Sequence, residues 1–246
     1  MHVIRLYLVR HGHVNYFDAA QQPINPKYAP LSAQGEQQIQ ILAEHLHAIQ
    51  MDQIYSSTMP RSIQTAEILA STQKLKTIQS YGEIREIKSG RLKDIPVDQA
   101  ELIIKQAYSP KKYVLDRFLQ GESWGDFETR VITWFEQMLL KQHQLPQHQS
   151  QELVLQNHQS KAQLKPQHIL VSAHDAVNRI VLNWVQGLKN HDVQVHEQNY
   201  GCLNIVDFYL EDQRIVESRI LLQNFTAHNI LKINESENAL DQVYNI

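Results

Sequence analysis

Between Val3 and Ala70, short apolar runs alternate with segments of helical period, and no other feature of the chain restricts its fold as tightly. Val3-Ile-Arg-Leu-Tyr-Leu-Val9 is rich in apolar and β-branched residues and stops at Arg10-His11-Gly12, so it reads as a buried strand ending in a loop. From Ser32 to Ile49 the residues Ile39, Leu42, Ala43, Leu46 and Ile49 recur at helical spacing, with Ser32 as the candidate N-cap. Asp52–Ser56 gives a second short strand, and Met59–Ala70 places Ile63, Ala66 and Leu69 on one helical face. This βαβα order predicts a mostly parallel sheet with right-handed crossovers, and hence an α/β fold, a three-layer α/β/α sandwich.

The rest of the chain extends the pattern. Leu75–Gln79 is a weak third strand, and residues 80–96, with Gly82, Gly90 and Pro96 among charges, read as a functional loop. Short helical patterns follow at 97–107 and 111–119. The strongest helix runs from Gly125 to Lys141, with Phe127, Val131, Trp134, Phe135 and Met138 on one face. A Gln/His-rich stretch without aromatic residues, 142–167, reads as a solvated polar insertion. His168–Ser172 is a buried strand that ends at Ala173-His174-Asp175 and leads into a helix bearing Val177, Ile180, Val181 and Trp184. Leu203–Leu210 and Arg214–Leu222 form an antiparallel pair around Glu211-Asp212, so the sheet is mixed. No repeat or linker divides residues 1–246, which read as a single domain.

Composition removes several function classes. The single cysteine, Cys202, excludes an intramolecular disulfide framework and a cysteine-based zinc site. His143, His148, His158 and His168 are spaced through a glutamine-rich segment without a carboxylate pattern, so no metal site is expected. The net charge of -3 lacks the basic surplus that nucleic acid or an anionic membrane would call for. No stretch approaches the about 18 apolar residues of a membrane span. Arg5 and Arg10 interrupt the N-terminal apolar run, which leaves no signal-peptide core, and a cytoplasmic location is the expectation.

Basic groups stand at the ends of the strands or just after them: Arg10 and His11 after the first, Arg61 at the start of the helix after the second, His174 after a late one. Ligands of open α/β sheets collect outside the carboxyl ends of the strands, so these groups converge. Two guanidinium forks, two imidazoles and a helix N-terminus suit a dianionic phosphate. An imidazole among cations is held neutral and can attack phosphorus, while the guanidiniums take up the charge of the transferring group without a metal. The leaving alcohol needs a proton from a nearby carboxyl, for which Glu83, Glu86 and Asp175 are the candidates.

Five blocks in order carry a family resemblance: Leu8-Val-Arg-His-Gly12, Pro30-Leu-Ser-x-x-Gly35-x-x-Gln38, Ser56-Ser-x-x-x-Arg61-x-x-Gln64-Thr-Ala66, Ile84-Arg-Glu-Ile-x-x-Gly90 and Val171-Ser-Ala-His174. The chain resembles the histidine phosphatase superfamily, on its phosphoglycerate mutase-like branch. The resemblance implies that His11 is phosphorylated, that Arg10, Arg61 and His174 hold the phosphoryl group, and that Glu86 is the general acid. It departs from the family where Ser or Thr and then Asn are common, having Val14 and Phe17, with Asn15 as a replacement contact. It departs again after the second histidine, where Asp175 resembles the proton donor of the acid phosphatase branch. The match of Ile84–Gly90 favours Glu86 over Asp175, with Glu83 third. His13, two residues from the nucleophile, faces the substrate entrance in this reading.

Glu122 and Ser123 precede the long helix either as substrate-side residues or as a solvated charge and an N-cap. Arg5 and Arg85 read as structural or solvated, and Trp124, Trp134 and Trp184 as packing. The expectation is a metal-independent phosphatase acting on a small phosphorylated substrate without a cofactor. The alternatives are a phosphoglycerate-type phosphomutase on the same site and a non-catalytic phospho-ligand or partner-binding module. A mutase needs a further basic cluster, for which residues 97–125 offer only Lys105, Lys111, Lys112 and Arg117. The sequence leaves the substrate and the oligomeric state open.

Overall fold

The computed structural model describes residues 1–20, 24–90, 116–144, 165–188 and 196–233. In chain order they form β1 (His2–Arg10), α1 (Ala33–Leu46), β2 (Gln53–Ser57), α2 (Pro60–Ser71), β3 (Gln79–Tyr81), a 3₁₀ turn at Phe118–Gln120, α3 (Trp124–Gln144), β4 (Gln167–Ala173), α4 (Asp175–Val185), β5 (Leu203–Glu211) and β6 (Arg214–Phe225). The six strands make one sheet in the order β3-β2-β4-β1-β5-β6. β3, β2, β4 and β1 run parallel, whereas β5 is antiparallel to β1 and to β6. The expected mixed, mostly parallel sheet is what forms.

Burial of β1 on both faces dictates the layers. Ile4, Leu6 and Leu8 point into a core with Phe127, Val131 and Phe135 of α3 and Val177, Ile180 and Val181 of α4. Tyr7 and Val9 point the other way, into a core with Ile39 and Leu42 of α1 and Ala66 and Leu69 of α2. The period-2 alternation of a strand thus feeds two helix layers at once. Trp124 and Trp134 are buried in the first core, and Trp184 packs on Phe208 at 5.6 Å between ring centroids.

Several boundaries differ from the sequence reading. β3 lies at Gln79–Tyr81 instead of Leu75–Gln79, because only that segment reaches the Tyr55–Ser57 edge of β2. α1 ends at Leu46, and the Ile49 N–H turns back to the Leu46 carbonyl. The 142–167 stretch is not solvated at its first residue. Gln142 is buried in the last turns of α3, its Nε2 donating to Tyr55 Oη at 2.9 Å and its Oε1 accepting from Gln167 Nε2 at 2.9 Å. These amide bonds replace the aromatic contacts by which a core segment is ordinarily recognised. The β5–β6 turn centres on Asp212 and Gln213, whose φ values of 47° and 58° give the backbone twist that a two-residue hairpin requires. The middle of the insertion, the helical pattern at 97–107 and most of that at 111–119 lie outside the described residues. No helix among the described residues is long and apolar enough to cross a membrane.

Candidate active site

Arg10 and Ala173, the last residues of β1 and β4, are Cα partners across the parallel pair, so His11 and His174 leave neighbouring strands at one level. Their rings meet edge to face with centroids 5.2 Å apart. Arg61 enters from the first turn of α2, and its Nε donates to His11 Nε2 at 3.0 Å. His11 Nδ1 lies 2.8 Å from the Gly12 carbonyl, which can only accept, so Nδ1 carries the proton and Nε2 keeps its lone pair. Arg10, His11, Arg61 and His174 are 6%, 3%, 3% and 0% exposed. Burial first, then the charges of Arg61 and Arg10, hold the His11 pKa well below its ordinary 6.5. His174 is lowered in the same way, by burial, then by Arg61, His11 and Arg10. Its Nε2 lies 2.6 Å from Ser57 Oγ.

The backbone around His11 is held by a contact that only glycine allows. A Cβ on Gly12 would stand 2.4 Å from the Gly35 carbonyl oxygen, and one on Gly35 would stand 2.2 Å from that of His13. The loop after β1 therefore lies directly on the first turn of α1, whose predicted N-cap Ser32 accepts from Gly35 N at 3.1 Å. Ser32 Oγ also meets His13 Nδ1 at 2.8 Å, which fixes the half-buried His13 ring. Asn15 is exposed, Phe17 is half-buried, and Val14 is fully buried among apolar neighbours. A polar residue in place of Val14 would point into the core.

Arg10 is enclosed by a segment to which the sequence drew no attention. Its Nη1 donates to the Gln198 carbonyl, and its guanidinium carbon lies 4.0 Å from the centre of the Tyr200 ring. Gln198 is buried and exchanges amide hydrogen bonds with Asn204 at 3.0 and 2.8 Å. Gly201 N donates to the His11 carbonyl and Arg10 N to the Cys202 carbonyl, both at 3.0 Å. A tyrosine in an irregular segment just before β5 carries no local signal of this placement.

The carboxyl candidates separate by environment. Glu86 accepts from its neighbour Ile87 N at 3.0 Å and from Ala176 N, in the first turn of α4, at 3.2 Å. Burial and the like charge of Asp175 push its pKa up. Asp175 instead pairs with Arg179, Oδ1 lying 2.6 Å from Nε. Glu83 is exposed.

Arg130, on α3, holds the Glu86 loop in place. Its guanidinium donates to the carbonyls of Glu83, of Arg85 at 2.9 Å and of Glu86 at 3.1 Å, and to both carboxylate oxygens of Glu122 at 2.7 and 2.8 Å. Helical periodicity assigns Arg130 only to a polar face, where nothing marks it out. Glu122 is consequently not a solvated charge: burial opposes its ionisation, but the hydrogen bonds from Arg130 and Lys88 N lower its pKa. Ser123 is the N-cap, accepting from Asp126 N at 3.1 Å. Gly90 and Gly121 press the same loop together, a Cβ on Gly121 falling 2.1 Å from the Lys88 carbonyl.

The remaining candidates are structural or elsewhere. Arg5 makes a two-pronged pair with Asp207 at 2.7 Å, and Arg85 donates to Thr58 Oγ1. His168 belongs to β4 and meets Tyr7 Oη at 2.9 Å. Arg117 donates to the Gly121 carbonyl at 2.8 Å. His148, His158, Lys105, Lys111 and Lys112 lie outside the described residues. No group of three or more His, Cys, Asp or Glu among the described residues could hold a metal ion.

Comparison with known proteins gives this geometry a context. A family model described as the histidine phosphatase superfamily (branch 1) matches residues 6–220. A probable phosphoglycerate mutase GpmB of Yersinia enterocolitica is 30% identical over 134 residues, 52% of this chain and 60% of that protein. The protein of that name from Proteus mirabilis is 30% identical over 136 residues, again 52% and 60%. These alignments span about six-tenths of the relatives' length. Among solved structures, a putative alpha-ribazole-5'-P phosphatase from Escherichia coli superposes with a TM-score of 0.65 at 21% identity, covering 90% of this chain and 96% of that one. A mycobacterial glucosyl-3-phosphoglycerate phosphatase gives 0.65 at 16%, covering 90% and 99%. At these identities the structural likeness is one of fold.

Proposed function

Because the chain belongs to the histidine phosphatase superfamily, we propose that it is a metal-independent phosphomonoesterase that passes the phosphoryl group of a small substrate through His11. The observation that carries this reading is the buried, neutral His11, whose Nε2 lone pair faces the Arg61 guanidinium. When a phosphate ester is bound, Arg61 exchanges the imidazole for a phosphoryl oxygen. Nε2 then attacks phosphorus in line with the ester oxygen, and the P–O bond breaks as the P–N bond forms. Arg10, Arg61 and His174 take up charge on the equatorial oxygens; two buried guanidiniums supply the field that metal ions supply in other phosphoryl-transfer sites.

Glu86, whose acid form is favoured by burial and by Asp175, gives its proton to the departing alcohol. The resulting carboxylate takes a proton from water, which attacks the phosphohistidine and releases phosphate with His11 restored. His13 and Asp175 are assigned to the alcohol side of the substrate, and Asn15 to the phosphate side as a replacement contact. The reading carries no requirement for a cofactor, a membrane or nucleic acid, and it fits a cytoplasmic enzyme.

The test is a panel of phosphorylated metabolites, scored for phosphate release and for an acid-labile, alkali-stable phosphoenzyme. Both are expected in the wild type and neither in His11→Ala. A second reading, phosphoryl transfer between positions of one substrate, is favoured by the mutase name of the relatives matched in sequence. Exchange without net phosphate release would establish it. Stoichiometric phosphate binding with no turnover of any ester would instead indicate a binding module.

A further inference from the structure

We infer that the Tyr200 hydroxyl is a ligand of the phosphoryl group, donating a hydrogen bond to one of its oxygens. The inference rests on the phosphoryl site proposed above and adds to it a residue outside the motifs that point to that site.

Several polar atoms near His11 make no hydrogen bond within the protein. Buried polar side-chain atoms are almost always paired, because burial without a partner forfeits the hydrogen bond to water. Three buried atoms close to His11 have no protein partner: Arg10 Nε, His174 Nδ1 and Tyr200 Oη. All three can donate. The Ser57 hydroxyl can satisfy His174 Nε2, which leaves the proton on Nδ1. Three unpaired donors, one of them on the Arg10 guanidinium itself, beside the Arg61 guanidinium make a set that matches an anion with several acceptor oxygens.

Tyr200 is fixed within that set. Its ring covers the Arg10 guanidinium at 4.0 Å, lies 5.8 Å from the His11 ring and meets the His13 ring edge to face at 5.3 Å. The residue is 7% exposed. Burial pushes its pKa up, so the phenol keeps the proton that a donor needs. Stacking on Arg10 explains the ring, but a phenylalanine would stack as well, and the hydroxyl is left without a purpose unless something in the site accepts from it.

Tyr200→Phe removes the hydroxyl and keeps the ring; Tyr200→Leu removes both. Inorganic phosphate, titrated by calorimetry into the wild type and both variants, is the probe, with para-nitrophenyl phosphate hydrolysis as a second readout. A hydrogen bond to a charged oxygen predicts a Kd for phosphate raised roughly 10- to 100-fold in Tyr200→Phe. Without phosphate its melting temperature should match the wild type, and phosphate should raise it by less. Tyr200→Leu should bind more weakly still, because Arg10 loses its stacking partner. Equal phosphate affinity in Tyr200→Phe and the wild type would overturn the hydroxyl contact, whatever happens to stability. A wild type that binds no phosphate and forms no phosphoenzyme would instead overturn the site on which the inference rests.

Discussion

The Arg130 guanidinium donates to the Glu86 main-chain carbonyl at 3.1 Å while gripping both carboxylate oxygens of Glu122. The Glu86 loop is thereby tied to α3 through a charge it does not itself carry. Arg130→Met should leave phosphate binding near the wild-type value and lower kcat on the order of 10²-fold, the cost of displacing a catalytic group by about 1 Å. Arg130→Lys, which keeps the charge but not the fork, should recover only part. Phosphate affinity and kcat falling together would show that Arg130 supports the whole fold and not the loop.

Glu86→Gln and Asp175→Asn should behave differently. Loss of the proton donor predicts a fall of roughly 10²–10⁴ in kcat on alkyl phosphates for Glu86→Gln, and a smaller one on para-nitrophenyl phosphate, whose leaving group needs little help. Asp175 raises the Glu86 pKa by like charge. Asp175→Asn should therefore move the alkaline limb of the pH profile to lower pH. If only Asp175→Asn abolishes turnover, the proton donor is Asp175.

His11 and His174 have pKa values in the folded protein well below the 6.5 of a free imidazole. Between the lowered value and 6.5 the unfolded chain binds more protons than the folded one, so stability rises with pH in that window. The stability that these groups confer is complete above pH 6.5 and is lost as pH falls below it. Urea midpoints measured at pH 7.5 and 5.5 should drop at the lower pH, and the drop should shrink in His11→Gln and in His174→Gln. An unchanged pH dependence in both variants would place the titrating groups elsewhere.

Gly35→Ala puts a methyl group 2.2 Å from the His13 carbonyl oxygen, with backbone on both sides of the contact. Overpacking of this kind should cost about 1–3 kcal/mol of stability. Activity should fall further than that loss implies, because the displaced segment carries His11. Gly82→Ala, where a Cβ meets nothing within 4 Å, is the matched control and should change neither.

Where a residue's position is set by its own neighbours in sequence, the sequence revealed it. β1 is a run of core residues ending in Arg10-His11, Ser32 is an N-cap, and Arg61 sits in the first turn after a strand; local pattern and the rule for parallel sheets suffice to bring them together. Tyr200 and Arg130 escaped because their partners lie far off in sequence: Tyr200 meets Arg10 across the β1–β5 pairing, and Arg130 meets main-chain carbonyls, which no residue pattern displays. Gln142 was misread for a related reason, since a glutamine in a polar run gives no hint that Tyr55 and Gln167 will satisfy it indoors.

The reversed direction of β5 has a consequence for how many segments can line one candidate active centre. A parallel strand offers the centre its finish; an antiparallel one offers its beginning. Leu203, the first residue of β5, pairs with Val9 near the end of β1. Were β5 parallel, the residues that precede it would lie at the far rim of the sheet, about 30 Å away for a strand of nine residues. Turning one strand around lets the lead-in to β5 share a rim with the exits of β1, β2 and β4. Substitutions in that lead-in can then alter the walls of the centre while the strand ends that bear His11 and His174 stay as they are.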